Sequence, residues 1–216
     1  MVRVGGVDLS ALQETLRTEF DAKTAARERG LAGSRAAIRS CGNAIRAMHR
    51  HEFDTASALL ADAQEQLDGA RSALQEHPDM LHAGFVHDAE KEVAEARITF
   101  ALVTGAELPG IDVVGVPPAA YLKGMAEAVG ELRRHMLDLM RQDDMAGGER
   151  LLGSMDDIYN MLVTMDYPDG ITLGLRRLTD VARSIIERTR GDFTTTTIQN
   201  SLRKALESHS AELRDA

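Results

Sequence analysis

Tryptophan is absent from this 216-residue chain, cysteine occurs once, and the remaining aromatics are five Phe and three Tyr. The lone Cys41 excludes an intramolecular disulfide and any multi-cysteine zinc site. So few rings cannot build a base-stacking platform of the RRM or OB kind. No apolar run approaches the roughly 18 residues of a membrane span, and the N-terminus lacks the charged-then-apolar pattern of a signal peptide. The chain therefore reads as soluble and cytoplasmic, with no membrane partner. Gly-x-x-x-x-Gly-Lys, Gly-x-Gly-x-x-Gly and Gly-x-Ser-x-Gly are all missing, as is the Glu-x-x-His of di-iron bundles. Seven histidines are scattered, His49, His51 and His135 among them, and suit ordinary polar or capping roles.

What is present is the composition of packed helices: 44% hydrophobic residues, mostly Ala, Leu, Val, Ile and Met. Period-2 alternation is scarce, so a strand reading finds little support. Asp8 or Ser10 caps a first helix running to about His51, with an irregularity at Gly30 and Gly33. A second covers about Asp54 to Glu76, and a third runs from near Asp79 to Gly105. Residues 105–118 form a Gly/Pro-punctuated loop in which the DVVGV stretch could be a short strand. A fourth helix follows Pro117-Pro118 to near Asp144. A fifth follows Gly147-Gly148, and a sixth covers Ile171 to Arg190. A short seventh starts at Asp192 or Thr194, and the tail after about Glu207 frays. Residues 1–216 thus make one all-α domain, a seven-helix elongated bundle. The first helix alone would span about 60 Å, which favours an oligomer or an elongated shape. The ten Met residues fit an adaptable helical interface or ordinary core packing.

The charge is acidic overall, −9, which by itself argues against a nucleic-acid partner. The sum hides a division: residues 1–52 carry +3 and residues 53–216 carry −12. Between 27 and 50, six arginines face the single acid Glu28. On a helix, Arg35, Arg39, Arg46 and Arg50 fall within about 60° of one another. Such a stripe suits phosphate, because each guanidinium binds oxygens in pairs. A solvated face or intersubunit salt bridges would have the same pattern.

Two pairs of carboxylates recur at helical spacing. Glu92 and Glu95 lie away from the stripe Val86, Ala89, Val93, Arg97 and Phe100. Glu127 and Glu131 lie opposite Tyr121, Leu122, Met125, Val129, Leu132, Met136 and Leu139. Paired carboxylates can hold Mg²⁺ or Mn²⁺, which prefer oxygen ligands, and such a metal can activate water at a phosphodiester. Glutamates on a solvated polar face would look the same.

Tyr121-Leu122-Lys123-Gly124, followed by Gly130-Glu131-Leu132-Arg133-Arg134, resembles the YLxG…GELxR signature of the translin/TRAX family. Asp156 to Tyr159 and Leu175 to Gly191 are similar to the family's last two long helices, and the basic opening helix ending at His49-Arg50 fits as well. The resemblance implies a translin-like bundle of seven helices assembling into a hollow homo-octamer that binds single-stranded RNA and single-stranded DNA. In TRAX-type subunits it further implies a metal-dependent endoribonuclease. Glu92 and Glu95 match the family's Glu-x-x-Glu, Glu131 matches its last Glu, and Glu127 stands where the family has Asp. One methylene longer than Asp, Glu127 could shift or weaken a metal. The resemblance makes Glu92, Glu95, Glu127 and Glu131 both metal ligands and catalytic residues, one of them a candidate general base. Arg35, Arg39, Arg46 and Arg50 would hold the nucleic-acid backbone. A translin-like binder without catalysis and a helical scaffold remain the alternatives.

Overall fold

A computed structural model describes residues 3–4 and 7–215, and helices account for nearly all of them. A short antiparallel pair, β1 (Arg3–Val4) and β2 (Val7–Asp8), precedes α1 (Leu9–His49). Then come α2 (Phe53–Leu74), the single turn α3 (Pro78–Leu81) and α4 (Gly84–Thr104). The single turn α5 (Ile111–Val114) interrupts the loop before α6 (Pro118–Arg141). The chain ends in α7 (Met145–Val163), the single turn α8 (Asp169–Thr172) and α9 (Leu175–Asp215). Among the described residues no helix is long and apolar enough to cross a membrane.

The all-α bundle expected from the sequence forms, with local corrections. Asp8, not Ser10, caps α1, its carboxylate accepting the Ser10 N–H at 3.0 Å. Gly30 and Gly33 do not break α1; they let α2 approach. A Cβ at Gly30 would lie 2.6 Å from Leu74, and one at Gly33 would lie 3.0 Å from Ala70. With Ser40 bonded to Asp62, these contacts run in opposite senses along the two helices, so α1 and α2 are an antiparallel pair. The DVVGV stretch is helical at α5. The helices expected on either side of Gly191 are one continuous α9, because Gly191 stays within the helix.

The loop between α4 and α6 decides the register of everything that follows. It folds back along α4: Arg97 reaches the Val113 carbonyl, and Arg71 reaches both Glu90 and the Gly115 carbonyl. Returned to its starting level, the chain enters α6 at Pro118, a residue pre-set for a first helical turn. Consequently α6 runs parallel to α4, with Lys123 beside His87 and Glu127 beside Lys91. α4 lies between α1 and α2 on one side and α6 on the other. The core is a seam of Ala37, Met48, Leu67, Ile98, Leu132 and Met155, with Met residues filling it as ordinary core side chains.

The two longest helices outreach this core. Near its start α1 exposes Leu12, Leu16 and Phe20, and near its end α9 exposes Ile198, Leu202 and Leu206. Each trio repeats every four residues, an apolar stripe on one helix face.

Candidate metal centre

The parallel crossing of α4 and α6 is tightest at Gly124. A Cβ there would stand 2.6 Å from the Lys91 carbonyl oxygen and 2.7 Å from both Ala94 Cβ and Glu95 N. Only glycine admits that approach, and it brings the carboxylates of the two helices together. One oxygen each from Glu92, Glu95 and Glu127 lies within 4.8 Å of the others.

Glu95 is not on a solvated face, contrary to the amphipathic reading of its helix. α4 is covered on both sides, leaving Glu95 8% exposed. Burial first, then the charges of Glu92 and Glu127, push its carboxyl from an ordinary 4.5 up to about 8; Lys91 opposes this and Glu131 adds to it. Lys91 bonds Glu92 Oε1 at 3.0 Å and also Glu127 Oε2. Burial alone would depress its ammonium, but those two hydrogen bonds and charges raise it above the ordinary lysine value. Lys91 is a participant that helical spacing did not single out, although it precedes Glu92 and sits one turn from Glu95.

Glu131 belongs to the same wall but makes a different bond. Its Oε2 accepts from Nε2 of His49, the last residue of α1, at 2.6 Å. His49 is therefore no scattered polar residue: its side chain is 5% exposed, and its buried Nδ1 has no partner among the described residues. Next to it, His51 and His135 have ring centroids 5.3 Å apart. Burial and then the charges of His51 and His49 hold the His135 imidazole below its ordinary value. Within the core beneath α1, burial first and then the charges of Glu92 and Glu95 push the Cys41 thiol up to about 12, leaving it a buried core residue.

The arginine stripe lies where helical geometry puts it. Arg35, Arg39, Arg46 and Arg50 are all exposed, on the side of α1 away from Ala37, Ala44 and Met48. Arg35 and Arg39 have no ion pair among the described residues, and Arg46 bonds only Asn43, at 2.6 Å. Arg50 differs. It sits beyond the helix end and pairs doubly with Glu52 at 2.8 and 2.7 Å.

The comparisons with known proteins point one way. This chain is 32% identical to AfC3PO in its solved structures, one of them a complex with duplex RNA. That alignment covers 87% of this chain and 97% of AfC3PO, with a TM-score of 0.79. Apo-NeC3PO, at 17% identity, shares the fold with a TM-score of 0.73, over 91% of this chain and 100% of its own. An uncharacterized protein of Methanocaldococcus jannaschii is 30% identical over 175 residues, 80% of this chain and 77% of that protein. No family model matches the chain.

Proposed function

Because the chain belongs to the translin/TRAX family, we propose that it binds RNA along α1 and hydrolyses it with a divalent cation, Mg²⁺ or Mn²⁺. The observation that carries this reading is the trio Glu92, Glu95 and Glu127, whose oxygens converge within 4.8 Å. The donor set fits the ion: it is all oxygen, as hard cations require. It is also short of positive charge, because Lys91 leaves Glu95 with a carboxyl raised to about 8. When bound, the cation supplies positive charge that offsets the phosphodiester's own and acidifies the attacking water.

The chain's own residues do the rest. Arg35, Arg39 and Arg46, exposed and without an ion pair among the described residues, offer guanidinium donors to a phosphate backbone even with Arg46 bonded to Asn43, giving affinity that depends on salt and little on sequence. Arg50 can join them only by loosening its pair with Glu52. The duplex RNA bound by AfC3PO supports RNA as the ligand and makes strandedness part of the question. The exposed stripes of α1 and α9 support assembly of several copies, an octamer being the family's arrangement.

Lys91 favours a second reading, binding without cleavage, since an ammonium already occupies part of the carboxylate cluster. One experiment separates the two. Labelled single-stranded and duplex RNA is incubated with wild type, Glu92→Ala and Glu131→Ala in Mg²⁺, Mn²⁺ or EDTA, with mass by light scattering alongside. The nuclease reading expects metal-dependent products from wild type and none from either variant at unchanged mass. Retained binding with no metal-dependent product supports the second reading, and salt-independent failure to bind would leave only a scaffold.

A further inference from the structure

We infer that His49 is a positioning residue that holds Glu131 apart from the metal-binding trio and orients it as the general base. The inference rests on the nuclease reading above and assigns a role within it. Three facts carry it. Glu131 is the one carboxylate of the four absent from the set whose oxygens converge. Its Oε2 is instead taken by His49 Nε2 at 2.6 Å. And among the described residues His49 has no other side-chain anchor: its side chain is 95% covered, and its buried Nδ1 has no hydrogen-bond partner there.

A carboxylate only accepts, so the ring must donate from Nε2. That bond fixes the rotation of the Glu131 carboxyl and leaves Oε1 with no hydrogen bond among the described residues. Glu131 is about one helical turn from Glu127 on the same side of α6, so Oε1 is placed beside the trio and not in it. His49 cannot serve as the base itself. Nε2 is occupied, and Nδ1 is sealed from solvent. In the step this implies, the attacking water forms its bond to phosphorus and passes a proton to Glu131 Oε1. The phosphorus–oxygen bond to the leaving nucleotide breaks, and bulk water protonates that oxygen.

α1 packs along α4 but touches α6 only briefly, and the His49–Glu131 bond is the side-chain hydrogen bond that joins the arginine-bearing helix to α6 among the described residues. That bond makes the orientation of Glu131 depend on where α1 ends. Helix α1 would thus both hold the RNA and set the base.

The test uses full-length wild type, His49→Ala and His49→Gln. The amide nitrogen of Gln can stand near the position of Nε2 and still donate. Mn²⁺ affinity is measured by calorimetry, and Mg²⁺-dependent RNA cleavage is measured under single turnover. The expected result for His49→Ala is Mn²⁺ affinity within about threefold of wild type with cleavage slowed about 10–100-fold, the usual range for losing an orienting partner. His49→Gln should recover most of that rate. Cleavage by His49→Gln as slow as by His49→Ala, unchanged cleavage in His49→Ala, or Mn²⁺ affinity falling in step with rate would each overturn the inference. If His49→Ala fails to assemble, His49→Gln is set against Glu131→Gln. The first should cleave and the second should not, and a slow His49→Gln then sinks the assignment. Wild type that neither binds Mn²⁺ nor cleaves overturns the nuclease reading itself, and this inference with it.

Discussion

Replacing Glu95 by Gln should stabilise the metal-free protein at high pH and leave it nearly unchanged at low pH. The native carboxyl is raised from an ordinary 4.5 to about 8, by burial and by Glu92 and Glu127. The folded protein therefore keeps a proton that the unfolded chain has already released. Unfolding is favoured progressively as pH climbs through that window, so stability is lost between about pH 4.5 and pH 8. At about 1.4 kcal/mol per pH unit, the loss at pH 8 is on the order of 4 kcal/mol, an upper figure for so crowded a cluster. Glutamine mimics the protonated acid and carries no such loss. Equilibrium urea unfolding of wild type and Glu95→Gln in EDTA, at intervals from pH 5 to pH 8, isolates the effect. All other titrations cancel in the difference between the two proteins. The gap should start near zero and grow toward several kcal/mol in favour of the variant, which should also bind Mn²⁺ poorly. Two parallel pH profiles, or a variant less stable at pH 8, would refute the claim that Glu95 is buried among uncompensated charges.

Gly124→Ala should cost about 1–3 kcal/mol or somewhat more in urea unfolding, since its Cβ would meet Lys91 and Glu95 backbone atoms at 2.6 and 2.7 Å. The same variant should weaken Mn²⁺ binding, because parting α4 from α6 separates Glu95 from Glu127; a neutral substitution would mean that the crossing is looser than described. Arg35→Ala combined with Arg39→Ala should change stability by no more than about 0.5 kcal/mol, both side chains being exposed and without an ion pair among the described residues. It should nevertheless lower the dependence of log K for RNA on log salt by about 1–2, at about 0.7–0.9 per phosphate contact. An unchanged slope would remove these arginines from the RNA path.

Helical class and most boundaries could be read from the chain, because apolar periodicity and Gly/Pro punctuation are local, and spacing alone paired Glu92 with Glu95 and Glu127 with Glu131. Their environment could not. Glu95 looked solvated because its own helix has one strongly apolar stripe, and nothing within α4 announces that α6 will cover the other side. The parallel α4–α6 register depends on a loop that doubles back through Arg71 and Arg97, contacts 16 to 44 residues apart in sequence. Gly30, Gly33 and Gly191 read as breakers, yet all three lie inside helices. In the first two, packing against α2 outweighs the entropic cost of glycine. His49 was visible only as a histidine near arginines. Its partner lies 82 residues away, beyond any local pattern.

The acidic net charge is consistent with an RNA ligand once the charges are placed. Arg35, Arg39 and Arg46 project outward from α1, whereas Glu92, Glu95 and Glu127 converge inside the α4–α6 crossing. A phosphate backbone on the arginines meets donors with little local acid, since Glu28, the one acid between residues 27 and 50, is already bonded to Arg27. Approaching the trio is another matter: without a cation a phosphodiester would face carboxylates whose one ion-pair partner among the described residues is Lys91. Arg46 stands three residues before His49, about one turn of helix, so the outward track ends where Glu131 is held. The arginines would therefore bring RNA to a place that repels it until a divalent cation arrives. By the reciprocity of linked binding, whatever the cation contributes to RNA affinity there, RNA contributes equally to the cation's.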